Sequence, residues 1–423
     1  MTPSSKRDVI RRASTFFIYL FLSVAAVNIL PQLFFLKVAP ENKSLWLSVL
    51  LLFGTLSSVL GVELSRRELK RNYSLTPLRL YTFLLVCLVS FLGLVFVPTF
   101  ILLYFAAYLL FRLVSNWLMN LTDHKLVAIA GVERIKLHTV AATLFQLVGQ
   151  MLAPIVFVLL VGLPWVTATL VVVLVLTFAW AIHDAVRISP PDTMTSSEEN
   201  NDGGHEQEDE ATEPRVPREE LNEGAPSQGS SRRFFGFFVY CLFVWMGMLG
   251  LFAQLIFLLG DYVGVAHPKK MGGLIITFVG VVSVASVSLF TRFKRDKLTH
   301  GSLLLPPVLL SLTLVIIAFK PGIWGLLGAG FLSGVGGGRF MMLTRMLAST
   351  WKGAPGRETV LSLYNNNSNY GSLIVYPAMG ALALSLGESS FWFNPALFGL
   401  FFFFYLVGIV VLWLFPFVSS SSN

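Results

Sequence analysis

The sequence predicts an all-α membrane protein: twelve transmembrane helices in two pseudo-symmetric six-helix bundles, with both termini in the cytoplasm. Three observations predict it. The chain of 423 residues is 55% hydrophobic and only 13% charged, whereas soluble proteins carry roughly 25% charged residues. Apolar runs recur along it, each long enough to cross about 30 Å of hydrocarbon as a helix. One stretch, 188–232, has no apolar run and divides the hydrophobic sequence into two parts of similar length.

In order, the runs of the first part fall at 13–36, 44–62, 78–97, 99–121, 137–161 and 163–183. Those of the second fall at 234–259, 271–291, 301–319, 323–347, 359–386 and 391–416. The first run is too long for a cleaved signal peptide and lacks a convincing cleavage site, so it counts as a spanning helix. Between the two sets, residues 188–232 hold 12 of the 23 carboxylates and few basic residues: Arg215 and Arg218 within, Arg232 at the end. Rich in Pro, Gly, Ser and Glu, the stretch cannot bury enough apolar surface to offset its ordering entropy and reads as a flexible linker. The expected division is a bundle over 1–187, the acidic linker over 188–232 and a second bundle over 233–423. The net charge of +8 thus combines an acidic linker with a strongly basic remainder.

Loop charges fix the expected orientation. With the N-terminus inside, 23 Lys and Arg fall on the cytoplasmic side, among them Lys6, Arg7, Arg66, Arg67, Arg134, Arg292 and Arg357. Five fall outside: Lys37, Lys43, Lys269, Lys270 and Lys320. This is the positive-inside asymmetry of a bilayer protein and does not imply nucleic-acid binding. The two cysteines, Cys87 and Cys241, lie inside apolar runs as helix-packing residues.

The two parts resemble each other. Phe16-Phe17-Ile18-Tyr19 recurs as Phe237-Phe238-Val239-Tyr240, and Gln32-Leu33-Phe34-Phe35-Leu36 as Gln254-Leu255-Ile256-Phe257-Leu258. Arg112 finds Arg339, Arg134 finds Arg357 and Pro154 finds Pro377. Six being even, the copies share one orientation and form a parallel repeat. The loop after the second run carries Gly61-Val62-Glu63-Leu64-Ser65-Arg66-Arg67 and then Lys70-Arg71. The fourth run carries Arg112, followed by Asn116 and Asn120. On these residues and the six-plus-six layout, the chain resembles the major facilitator superfamily. The resemblance implies alternating access: two bundles rocking about a central cavity lined by the first, fourth, seventh and tenth helices, with the substrate near the midplane.

Arg112 and Arg339 are the first candidate site residues. A charge inside an apolar run costs about 2.5–3.5 kcal/mol, so it requires a partner or a wet cavity. Two guanidiniums converging from opposite bundles would bind a carboxylate or phosphate by paired hydrogen bonds. The alternative is that each ties its helix to neighbouring carbonyls or braces a gate, and Arg345 reads as a snorkelling or gate residue. Asn28 and Gln32, one turn apart around Pro31, with Asn116 and Gln254, are candidate substrate-binding amides or interhelical contacts. Gln146 and Gln150 admit the same two readings. In the run Tyr364-Asn365-Asn366-Asn367-Ser368-Asn369-Tyr370, Asn365, Asn369 and Ser372 fall on one face. So many amides facing lipid would be very costly, so one side faces protein, cavity or cytoplasm. Glu63, Arg66, Arg67, Asp123 and Arg357 are candidates for a cytoplasmic gate, the alternative being ordinary solvated charges.

No Asp or Glu falls in the middle of any run. That weakens carboxylate-based ion coupling and cationic cargo together. The glycines of 325–338 lack the preceding strand and Lys-Ser/Thr ending of a phosphate loop, and read instead as a device for close helix approach. The six histidines show no metal-ligand spacing, and no nucleophile motif appears, so neither an enzyme nor a cofactor is expected. The expected function is a monomeric secondary transporter in the cell membrane, moving a small organic solute, an organic anion favoured. The alternative is a proton-linked efflux carrier for lipophilic compounds.

Overall fold

The structure, a computed structural model, describes residues 43–70, 101–130, 228–292, 299–351, 355–387 and 390–415, with single positions at 82, 85, 86, 89, 143, 144, 147–149 and 353. The described segments form eight long α-helices: α1 Lys43–Lys70, α2 Ile101–Ala130, α3 Gln228–Phe257, α4 Pro268–Arg292, α5 His300–Ala318, α6 Ile323–Ser349, α7 Arg357–Leu386 and α8 Phe393–Leu414. A single π-helical turn, Leu258–Tyr262, continues α3. The runs at 13–36, 78–97, 137–161 and 163–183 lie outside the described residues as whole helices, as do the termini and most of the linker. The linker is shorter than expected at one end, because α3 begins at Gln228 and absorbs its last five residues.

Six of the eight helices, α1, α3, α4, α5, α6 and α8, are long and apolar enough to cross a bilayer. The chain is thus an all-helical, multi-pass membrane protein. The other two, α2 and α7, have 30 residues each and carry Asn116, Asn120 and the asparagine run 365–369. Helices α1 and α2 run well past the ends of their apolar runs. The extension of α1 is supported by ion pairs within its own last turns, Glu63 to Arg66 at 3.7 Å and to Arg67 at 3.5 Å, at helical i,i+3 and i,i+4 spacing.

In the second part, α6 packs on α4, α5 and α7, while α8 packs on α3 and α5 and α7 packs on α3. The core there is aromatic and aliphatic: Phe237, Tyr240, Phe340, Phe401 and Tyr405 are fully buried. The Tyr240 hydroxyl donates to the Leu303 carbonyl at 2.6 Å, tying α3 to α5. The glycines of α6 work as spacers. A Cβ on Gly334 would sit 2.7 Å from the Val279 carbonyl oxygen, and one on Gly338 would sit 2.9 Å from that of Ser283, both on α4. The Ser283 hydroxyl donates back to the Gly334 carbonyl at 2.8 Å. Gly336 faces α5 at Pro306, and Gly337 faces Met248 of α3. The glycine run is therefore a packing hub between three helices. In the first part α1 packs on α2, and α7 lies along α1 to join the two parts.

Candidate functional site

One group of polar side chains gathers where α1, α2 and α7 meet. Helix α1 presents Gly54, Ser58, Gly61 and Ser65 at steps of four, three and four residues, which keeps them on one face. Helix α2 presents Tyr108, Arg112, Asn116 and Asn120 at steps of four. Small residues on α1 receive large ones from α2. A Cβ on Gly54 would lie 2.5 Å from the Tyr108 ring, and one on Gly61 would collide with the Leu113 carbonyl oxygen.

Within this contact the polar groups connect into chains. The Arg112 Nε donates to the Gly54 carbonyl at 3.4 Å. The Ser58 hydroxyl donates to the same carbonyl at 3.0 Å and accepts from the Asn116 amide at 3.1 Å. Asn116 also donates to the Arg112 carbonyl at 2.8 Å. Further along, Asn120 donates to Ser65 at 2.6 Å, and Ser65 donates to the Val62 carbonyl at 2.6 Å. Trp117 donates to Glu68 at 3.2 Å. Linked donors and acceptors of this kind reinforce one another in a low-dielectric environment.

Helix α7 closes the third side. Its Asn365 amide donates to the Asn120 side-chain oxygen at 3.5 Å, a contact across 245 residues of sequence that joins the two parts. One turn of asparagines is divided between different tasks. Asn367 donates to the Phe238 carbonyl of α3 at 3.0 Å, and Asn369 to the Asn366 oxygen at 2.8 Å. Ser372 donates to the Ser368 carbonyl at 2.9 Å. Tyr376, one turn on, is buried on the same helix, and Arg112 itself is half-buried. Among the described residues no carboxylate pairs with Arg112.

The other expected site residues are distributed as follows. Asn365 and Asn116 join the seam, while Asn369 is turned into its own helix. Arg339 lies half-buried on α6, a helix that is not among those packed on α2. Gln254 is completely buried on α3, and neither of its amide atoms has a hydrogen-bond partner among the described residues. Arg345 is buried on α6. Glu63, Arg66 and Arg67 pair on their own helix, and no ion pair joins them to Arg357, the first residue of α7, among the described residues. Asn28, Gln32, Gln146 and Gln150 lie outside the described residues, as does the side chain of Asp123. The sequence singled out Ser372 as sharing a face with Asn365, but not Tyr108, Ser58, Ser65 or Tyr376. The small-residue face of α1 and the four-residue spacing in α2 were the signals that would have found the first three of these four.

No protein-family model and no curated protein matches the chain. Among solved structures it is similar to a bacterial homologue of the iron transporter ferroportin, crystallised in an outward-facing state. The TM-score is 0.61 and the identity 17%, over 96% of this chain and 99% of that one. The likeness shows a fold shared with that transporter homologue. Helix α7 packs on both α1 and α3, so the polar contacts around Arg112 and Asn120 lie where the described parts of the chain meet.

Proposed function

We propose that the chain is a secondary transporter of the cell membrane that moves a small organic solute by alternating access, with an anion as the favoured cargo. It is proposed to act as a monomer, with the linker and both termini cytoplasmic. The fold supports the transport reading, since the similar protein is a homologue of an iron transporter and was captured open to one side. No metal cargo is proposed for this chain. A cation needs acceptor ligands, and no group of three or more His, Cys, Asp or Glu able to hold one occurs among the described residues. The observation that carries the anion reading is Arg112: a guanidinium in an apolar helix at the junction of the halves, with no carboxylate partner among the described residues. A bound anion would supply the missing counter-charge.

The test is thermal stabilisation of the purified protein by anionic, neutral and cationic metabolites, in wild type and in Arg112→Ala. A ligand that binds only the folded state raises its stability, by about 2.7 kcal/mol at a hundred times its Kd. Stabilisation by anions that disappears in the variant supports the reading. Stabilisation by cations alone, or by anions equally in both proteins, overturns it.

One observation favours a second reading, the proton-linked efflux carrier. The Arg112 Nε already holds the Gly54 carbonyl, as a brace between helices would. In that case neutral lipophilic compounds stabilise both proteins alike, and export in proteoliposomes follows the proton gradient.

A further inference from the structure

We propose that the end of the second part where α3 begins and α8 finishes binds an anionic phospholipid, whose phosphate is held by Arg232 and Arg233. The site is independent of Arg112 and of the transported cargo. The membrane spans within the two helices run from Ser231 to Leu255 and from Phe393 to Leu414, and α3 and α8 pack on each other. Their contacts fix the direction. Gly236 lies against Phe415, Gly247 against Tyr405 and Gly250 against Phe401, so the helices are antiparallel. Arg232 and Arg233 therefore share one edge of the apolar slab with Trp413 and Phe415, at the level where lipid headgroups lie.

The first arginine is prepared for an anion. Its guanidinium carbon lies over the Phe415 ring, 5.4 Å from the centroid. That ring is itself held: Phe235 meets it edge-on at 5.9 Å, and Gly236 presses so close that a Cβ there would collide with the Cβ of Phe415. A guanidinium steadied by a ring keeps its N–H donors for another partner, and its fork matches two phosphate oxygens at once. Both arginines are exposed, and neither makes an ion pair among the described residues. The first turn of α3 holds no acidic residue. Beside them the surface is apolar. Trp413 is 85% exposed, and Val410, Leu406 and Phe403 continue its stripe along α8 at steps of three and four residues, which keeps them on one face. Inorganic phosphate would engage the arginines and leave that stripe bare, whereas a phospholipid covers both, its phosphate at the charges and its chains along α8. The carboxylate-rich sequence before Arg232 is the rival occupant, but it has no apolar run to lay on the stripe.

The experiment follows thermal unfolding of the full-length protein in a neutral detergent while phosphatidylglycerol, phosphatidylcholine or inorganic phosphate is added. Phosphatidylglycerol should raise the melting temperature at concentrations where the other two do not. Arg232→Gln should weaken the apparent lipid affinity about fivefold, the contribution of one arginine at an anionic membrane surface, and the double change with Arg233→Gln should weaken it by roughly 25-fold. Phe415→Leu keeps apolar bulk but removes the ring under the guanidinium, and should cost about two- to fivefold. Lys320→Gln removes a positive charge from the opposite end of the second part, where its ammonium lies over Tyr262, and should leave the affinity unchanged. Equal stabilisation by phosphatidylcholine would mean that only lipid tails are recognised, and stabilisation by inorganic phosphate alone that no lipid is; either overturns the proposal. So does a loss in Lys320→Gln as large as in Arg232→Gln, which would be general charge attraction. If phosphatidylglycerol acts only once Glu219, Glu220 and Glu223 are changed to Gln, the linker occupies the arginines in place of lipid and the proposal is wrong.

Discussion

Two contacts between helices show opposite ways of joining apolar segments. At the α1–α2–α7 seam, hydroxyls, amides and a guanidinium connect through hydrogen bonds of 2.6–3.5 Å. At the α3–α8 contact there is no such chain: Gly247 receives the Tyr405 ring and Gly250 the Phe401 ring, both rings fully buried. In a bilayer the hydrophobic effect does not drive helices together, and close packing must supply the attraction. Ring-on-glycine contacts extract it from many small dispersion terms that are lost together when the helices separate. Polar contacts are few, directional and able to exchange partners. The ring-on-glycine arrangement suits a permanent joint. The polar contacts that α7 makes suit a surface whose partners can change.

Substitutions can break or sharpen this contrast. The largest effect is expected for Gly61→Ala. Its Cβ would meet the Leu113 backbone oxygen, which cannot rotate away, so destabilisation should reach or exceed the upper end of the about 1–3 kcal/mol of ordinary overpacking. Loss of folded protein on detergent thermal unfolding would show it. Gly250→Ala meets the edge of a ring, which has some freedom to move, and should cost about 1–3 kcal/mol in the same assay. Equal losses for the two would mean that ring and backbone contacts are equally rigid, against the contrast drawn above.

A smaller effect is expected at the seam itself. Asn120→Ala removes one hydrogen bond from each of Ser65 and Asn365 and should cost about 1 kcal/mol. A double-mutant cycle with Asn365→Ala should return a coupling near 0.6 kcal/mol, typical of hydrogen bonds between membrane helices. A coupling of zero would remove Asn120–Asn365 as a tie between halves. The smallest effect, and of opposite sign, belongs to Gly328→Ala on α6. A Cβ there meets nothing within 4 Å, so replacing a helical glycine should stabilise by about 0.5–1 kcal/mol.

Most of the architecture in the described residues was legible in the sequence. The expected run 323–347 became α6 Ile323–Ser349, and 301–319 became α5 His300–Ala318, because hydropathy alone locates a helix that must lie in lipid. It fails where a helix leaves the lipid. The run 44–62 continues to Lys70 and 99–121 to Ala130, since charge ends an apolar run without ending a helix, and Glu63 with Arg66 and Arg67 supports one more turn. The seam was only half legible. Arg112 and Asn116 were conspicuous as polar residues in apolar sequence, and Asn365 likewise. Tyr108 and Ser58 were not, because a tyrosine or serine in a membrane helix is unremarkable until the neighbouring helix is known. Which side chains meet depends on the rotational phase between two helices, and that phase is written in pairs of faces and in no single residue. For the same reason Asn369 looked equivalent to Asn365, yet it bonds within α7.

Gly61 has a mechanical consequence. With its α-carbon pressed on the Leu113 carbonyl, α1 and α2 touch backbone to backbone, and no side chain is left between them to act as a bearing. Two rods in such contact behave as one beam: they tilt together and resist sliding past each other. Helix α7 meets this beam through side-chain amides such as Asn365 on Asn120, which can rotate about single bonds while the beam itself stays straight.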